Sequence, residues 1–146
     1  MSNADDDILI VIADGACRPN PGFGAWAYYV LHGPGAPSLH GDLIGENLTN
    51  NVAEIAAARK ALVDLAGRCD EIMLISDSEY VVRTMRGEFN GKRNRQLFRA
   101  LREACTPYKH VYWVTVKEAR HRKAIVAAHA EADALARQLA ADAASS

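Results

Sequence analysis

Cysteine is scarce in this chain and poorly placed for a structural role. The three thiols, Cys17, Cys69 and Cys105, are far apart and odd in number. They fit neither a zinc-site spacing nor a disulfide framework, so reduced thiols in a cytoplasmic protein are expected. Long apolar runs are missing too. None approaches the roughly 20 residues of a membrane-spanning helix, and no membrane association is expected. The first seven residues, Met1-Ser2-Asn3-Ala4-Asp5-Asp6-Asp7, are acidic and polar. They match neither a signal nor a transit peptide, and residues 1–7 are expected to be disordered. Net charge is nearly absent as well, at −1 for the whole chain. Taken alone, that balance argues against a polyanionic partner.

What is present is an ordinary globular composition: 146 residues, 49% hydrophobic and 24% charged. This is enough for one domain with a real core, expected over 8–141, with 142–146 as a frayed end. The charge is also sharply segregated. Between Arg83 and Lys123 lie twelve Lys and Arg against three Glu, a net of +9. The remainder holds five against fifteen, a net of −10. A basic segment beside an acidic one suits an enzyme that grips a phosphate backbone and also holds cations. The bland alternative is a set of solvated helix and loop residues.

The apolar pattern predicts a strand over 8–13, continuous and β-branched as in a strand buried on both faces. A turn is expected over Gly15–Gly24, where Gly and Pro are dense, then strands over 25–31 and 38–45 joined by short connections into an antiparallel meander. Asn50 or Asn51 is placed to cap a helix that Gly67 stops. A buried strand over 71–76, a short helix over 78–85 capped by Ser78, and a helix ending before Pro107 come next. A strand over 110–116 and an Ala-rich helix from about Ile125 to Ala141 close the chain. The order βββ-α-β-α-α-β-α predicts an α/β fold: a mixed five-stranded sheet, three antiparallel strands then two parallel, with helices on both faces. If the first and fourth strands are neighbours, Asp14 and Asp77 both leave carboxyl ends of parallel strands, where open α/β sheets place their sites.

Four acids occupy settings that suit a shared cation site. Asp14 and Asp77 directly follow apolar strand-like runs, and Glu54 and Asp133 lie on stretches with helical spacing. Carboxylates collected from distant parts of a chain usually hold hard cations such as Mg²⁺. Two such ions can cut a phosphodiester by in-line displacement. Each acid also has a bland explanation, as a turn former, a first-turn helix acid or an exposed helix residue.

The surrounding residues carry a resemblance. Asp14-Gly15-Ala16-Cys17-x-x-Asn20-Pro21-Gly22, Thr49-Asn50-Asn51-x-Ala53-Glu54, Ser76-Asp77-Ser78-x-Tyr80-Val81 and Ala132-Asp133-x-Leu135-Ala136 together resemble the ribonuclease H family, type 1, in family order. The resemblance implies hydrolysis of the RNA strand of RNA/DNA hybrids with two Mg²⁺ ions (Mn²⁺ as a substitute), leaving 5′-phosphate and 3′-hydroxyl ends. It makes Asp14, Glu54, Asp77 and Asp133 the metal ligands, with Asp14 bridging both ions. It makes Cys17, Asn20, Asn50 and Asn51 candidates for contacts to the hybrid's minor groove and 2′-hydroxyls. Nothing in the sequence calls for a dimer, so a monomer is expected.

The chain departs from the family pattern in four places. Between the last strand and the last helix the family often has a loop bearing a histidine. Here the stretch is longer, lacks the usual Gly-His pair, and offers His121 among basic residues. His129 stands four residues before Asp133, where Asn is common. On a helix it shares Asp133's face, so it can act outside the ligand shell or simply pack. Glu79 stands where some members carry Gln, and reads as a helix-start acid. Finally, the stretch 87–95 is too short for the basic Trp-bearing helix of bacterial prototypes, and no hybrid-binding domain is expected before residue 8. Lys92, Arg93 and Arg95, with Arg99, are expected to substitute in part, giving modest affinity. Rival readings are a nuclease of duplex DNA or duplex RNA on the same scaffold, and a non-catalytic nucleic-acid-binding module.

Overall fold

The apolar run that opens the chain forms the centre of the sheet. In a computed structural model, which describes residues 8–146, the strands are β1 (Ile8–Arg18), β2 (Gly22–His32), β3 (Ser38–Leu48), β4 (Glu71–Ser76) and β5 (His110–Thr115). The helices are α1 (Asn50–Leu65), α2 (Glu79–Met85), α3 (Arg95–Cys105) and α4 (Lys123–Ser145). The disorder expected for residues 1–7 lies outside the described residues. Strand order is β3-β2-β1-β4-β5. β1, β2 and β3 are antiparallel neighbours, and β4 and β5 run parallel to β1. The expected mixed sheet is therefore the observed one. β1 is covered on both faces, which explains its unbroken apolar run. Leu9, Val11 and Ala13 pack among α1 residues, while Ile12 packs with Ile125 and Ala128 of α4.

Two close approaches bring helices to the site. Gly15 lies directly under α1, and a Cβ there would come within 2.3 Å of the Ala53 carbonyl carbon. Glycine is required at this point because backbone meets backbone. On the opposite face α4 presents Ala132, Ala136 and Ala140, all buried, and this small-residue stripe lies on Ala16, Ala25 and Ala27. Gly41 makes room for Leu135 in the same contact, since a Cβ there would stand 2.8 Å from the Leu135 Cδ2. Gly15→Ala is therefore expected to destabilise the protein by about 3 kcal/mol, since the clash is with backbone that cannot rotate away. A urea unfolding curve of wild-type midpoint would show instead that α1 shifts at little cost.

The sheet corrects three local expectations. β1 does not end at Ala13 but runs through Asp14 to Arg18, because β2 pairs with it as far as Arg18 and Phe23. Only residues 19–21 form the turn. The parallel pairing with β4 ends at Ala13 and Ser76. Asp14 thus stands one residue beyond the point where β4 leaves β1, at a split in the sheet rather than at a strand end. Thr49, not Asn50 or Asn51, caps α1, its hydroxyl accepting from the Val52 amide at 3.3 Å. α4 continues through Ser145 instead of stopping near Ala141. Ser78 does cap α2, accepting from the Val81 amide at 3.1 Å.

Candidate active site

The split between β1 and β4 opens into a cleft of about 700 Å³. Asp14, Glu54, Asp77 and Asp133 all line it, joined by Cys17, Asn20, Asn50 and Asn51. Each acid arrives by its own route. Asp14 projects from mid-β1, and Asp77 is the first residue after β4. Glu54 sits in the first turns of α1, held there by the Gly15 contact, and its carboxylate accepts a very short hydrogen bond from the Gly15 amide. Asp133 follows Ala132, whose contact with the sheet brings this part of α4 down onto β1.

Burial and mutual repulsion dominate the electrostatics. Asp14 is only 4% exposed. Burial, then the charge and hydrogen bonding of Glu54 and Asp133, push its carboxyl up to about 10. Glu54 is pushed up to about 7, burial again outweighing its hydrogen bonds to Asp14 and to the Gly15 amide. For Asp133, burial raises the pKa but loses to hydrogen bonds from Asp14 and Arg137, so it falls below the ordinary value. Burial and its acidic neighbours therefore favour the protonated form of Asp14 when no cation is bound. Arg137, one turn beyond Asp133, donates to it at 3.0 Å.

His129 enters this group more directly than its spacing suggests. Its Nε2 lies 3.9 Å from Oδ2 of Asp14 and 3.9 Å from Oδ2 of Asp77. Both the His129 Nε2 and the Asp14 Oδ2 are buried without a hydrogen-bond partner. Buried polar atoms of this kind require a partner, and a cation or ordered water between them would supply one. Asp14, His129 and Asp133 each offer a ligand atom within 4.8 Å of the others, close enough to hold a metal ion together.

The remaining candidates divide. Asn20 and Asn50 join the β1–β2 turn to α1: the Asn50 amide donates to the Asn20 side chain at 3.2 Å, and the Asn50 side chain accepts from the Cys17 amide at 3.2 Å. Asn51 is exposed at the cleft. Cys17 is buried, and burial, then Glu54, raise its thiol. Lys92, Arg93 and Arg95 are exposed outside the cleft, though Asn94 between them donates to the Tyr80 hydroxyl at 3.0 Å and ties this segment to α2. His121 lies in a neighbouring hollow rather than with the acids. Trp113 is buried, and Trp26 and Tyr80 pack against the core. Sequence reasoning missed Arg18, Ser78 and Arg137, which also line the cleft. Only Arg137 carried a signal, its i,i+4 spacing from Asp133.

Comparisons with known proteins converge. The family model described as RNase H matches residues 6–141. A ribonuclease H of Symbiobacterium thermophilum is 35% identical over 123 residues, covering 75% of this chain and 81% of that protein. One from Pseudomonas aeruginosa is 42% identical over 80 residues, and there the match spans about half of each protein, 54% of this chain and 51% of the relative. Among solved structures, RNase H1 of Halobacterium salinarum superposes with a TM-score of 0.76 at 31% identity, over 92% of this chain and 98% of that one. LC11-RNase H1, solved in complex with an RNA/DNA hybrid, superposes with a TM-score of 0.73 at 27% identity, over 92% and 98%.

Proposed function

This chain belongs to the ribonuclease H family, and we propose that Asp14, Glu54, Asp77 and Asp133 are the residues with which it does that family's work. It is a metal-dependent endoribonuclease that hydrolyses the RNA strand of RNA/DNA hybrids, leaving 5′-phosphate and 3′-hydroxyl ends. The observation that carries the residue assignment is the convergence of four acids from four elements on one cleft, with Asp14 buried beneath them. Clustered carboxylates of this kind cost stability and would gain nothing for a protein that only bound nucleic acid.

The donor set fits hard cations, and two Mg²⁺ ions, replaceable by Mn²⁺, are the proposed cofactor. When bound, such ions activate the attacking water and stabilise the leaving oxygen. The chain's own part is to hold and neutralise. Asp14 and Glu54 would hold the cations as carboxylates, Gly15 fixes the Glu54 carboxylate through its amide, and Arg137 steadies Asp133. His129 faces both Asp14 and Asp77, so it either ligates or orients a water between them. His129→Ala is expected to raise the Mg²⁺ concentration for half-maximal activity by about 10–100-fold, with kcat at saturating metal changed far less. An unchanged metal titration would reduce His129 to a packing residue.

Asn20 and Asn50 brace the cleft wall, leaving Asn51 and the outer amide edges of that wall to meet the shallow minor groove and its 2′-hydroxyls. Lys92, Arg93 and Arg95 supply phosphate contacts beyond the cleft, and His121 assists from its own hollow. The carboxylate set is complete within one chain, and the enzyme works as a monomer. The odd number of cysteines, three, suits a reducing cytoplasm. Among the described residues no helix is long and apolar enough to cross a membrane. The deciding experiment incubates labelled hybrid, duplex RNA and duplex DNA with a Mg²⁺ titration. Preferential loss of the RNA strand of the hybrid is expected, and cleavage of duplex DNA alone would overturn the assignment.

A further inference from the structure

Beside the carboxylate cleft lies a second hollow, of about 520 Å³, between α2 and the connection from β5 to α4. The two meet where the chain enters α2: Asp77 and Ser78, just before the helix, line the first, and Glu79, its first residue, lines the second. A strand seated across the acids therefore has this hollow as its next neighbour in the direction of β5.

The connection that walls it is held by a specific clamp. The Arg86 guanidinium donates from Nη1 and Nη2 to the two carboxylate oxygens of Glu118, at 3.0 and 2.8 Å, and from Nε to the Trp113 carbonyl at 3.0 Å. Glu118 in turn accepts from the Thr115 amide at 2.9 Å, and its own amide donates to the Thr115 hydroxyl at 3.0 Å. This bidentate geometry fixes direction as well as distance. It also consumes charge. Glu118 and Glu88 answer Arg86, at 2.8 and 4.0 Å, and Glu79 answers Arg83 at 3.6 Å. The three acids of the hollow are thus matched. Among the described residues, Lys117 and Arg120 enter no ion pair, and both are exposed on the clamped connection beside His121.

We propose that this hollow is a second backbone-phosphate subsite, where Lys117 and Arg120 hold substrate phosphates away from the point of cleavage and the Arg86–Glu118 clamp positions them. The inference rests on the hydrolase reading, which supplies the polyanionic strand. Two unpaired cations three residues apart on a clamped connection, beside a cleft that would take such a strand, suit backbone phosphates.

The test is a Lys117→Gln/Arg120→Gln double variant of the full chain, assayed on a long RNA/DNA hybrid at several salt concentrations. KM is expected to rise about 10-fold with kcat within about twofold, because both cations bind the substrate equally before and during the reaction. The plot of log(kcat/KM) against log salt should become shallower by about 1–2, near 0.9 for each phosphate that is no longer neutralised. Arg86→Met, which leaves both cations in place but frees the connection, should raise KM in the same direction. Wild-type KM and salt slope in the double variant would overturn the subsite, and a wild-type KM in Arg86→Met would overturn the clamp. Either failure leaves hybrid cleavage by the unaltered enzyme standing, whereas absence of that cleavage would sink the hydrolase reading itself.

Discussion

Asp77→Asn is expected to lower kcat for hybrid cleavage by on the order of 10³-fold or more while hybrid binding survives, because the change removes a ligand that acts only in the chemical step. Asp77 suits this test better than its partners. It is exposed at the cleft, 61% by side chain, and sits just beyond the end of β4. An amide of the same shape therefore leaves the fold undisturbed. It removes one negative charge from the proposed cation site, and takes away the anion that His129 faces at 3.9 Å. Binding should hold or tighten slightly, since a phosphate backbone loses a repulsive neighbour. Hybrid binding by gel shift and turnover by strand cleavage separate the two quantities. Turnover within about tenfold of wild type would remove Asp77 from the ligand set.

Asp14→Asn is expected to do the opposite to stability. In the metal-free protein the Asp14 carboxyl is raised to about 10 by burial and its acidic neighbours, from 3.8 when unperturbed. The folded state thus binds a proton that the unfolded chain gives up above about pH 4. Stability is full below the unfolded pKa and is lost as pH rises toward the folded one. Glu54, raised to about 7 from 4.5, adds a loss of the same sign over a narrower window. Wild-type protein in chelator should therefore melt at a lower temperature at pH 8 than at pH 5.5. Asparagine keeps the shape, can still donate to Glu54 and Asp133, and has no proton to lose. The variant should be more stable than wild type in chelator at pH 8, by about 1–2 kcal/mol, and melt several degrees higher. Adding Mg²⁺ should raise the wild-type melting temperature through linkage and leave the variant almost unmoved. An Asp14→Asn protein that melts below wild type in chelator at pH 8 would show that the acids are not in conflict. The same variant should be inactive, the signature of a site that trades stability for function.

Much of this arrangement was legible beforehand, and the reasons are local. A strand buried on both faces must be apolar without alternation, so Leu9–Ala13 and Ile72–Ile75 announced themselves as central. The four acids could be named because each sits in a short motif whose neighbours also matched. The misreadings came where one residue type serves two purposes. Gly15 looked like the start of a turn, yet it is a strand residue kept small by the Ala53 backbone. Asn50 looked like a cap, yet Thr49 caps the helix and the Asn50 side chain braces the Cys17 amide. Nothing in a local pattern tells a glycine needed for its dihedral angles from one needed for its lack of a side chain.

By itself the sequence determined the strand and helix order, the family, and which four carboxylates and which basic segment were candidates for the site. Only the tertiary structure decided their mutual positions. It placed Asp14 at the split between β1 and β4, drew His129 to within 3.9 Å of two acids, and set His121 in a separate hollow with Lys117 and Arg120. Residue types and their periodicity record which surfaces must be buried. The distance between side chains far apart in the chain is fixed instead by how closely two backbones can pack, here by Gly15 under α1 and the alanine stripe of α4.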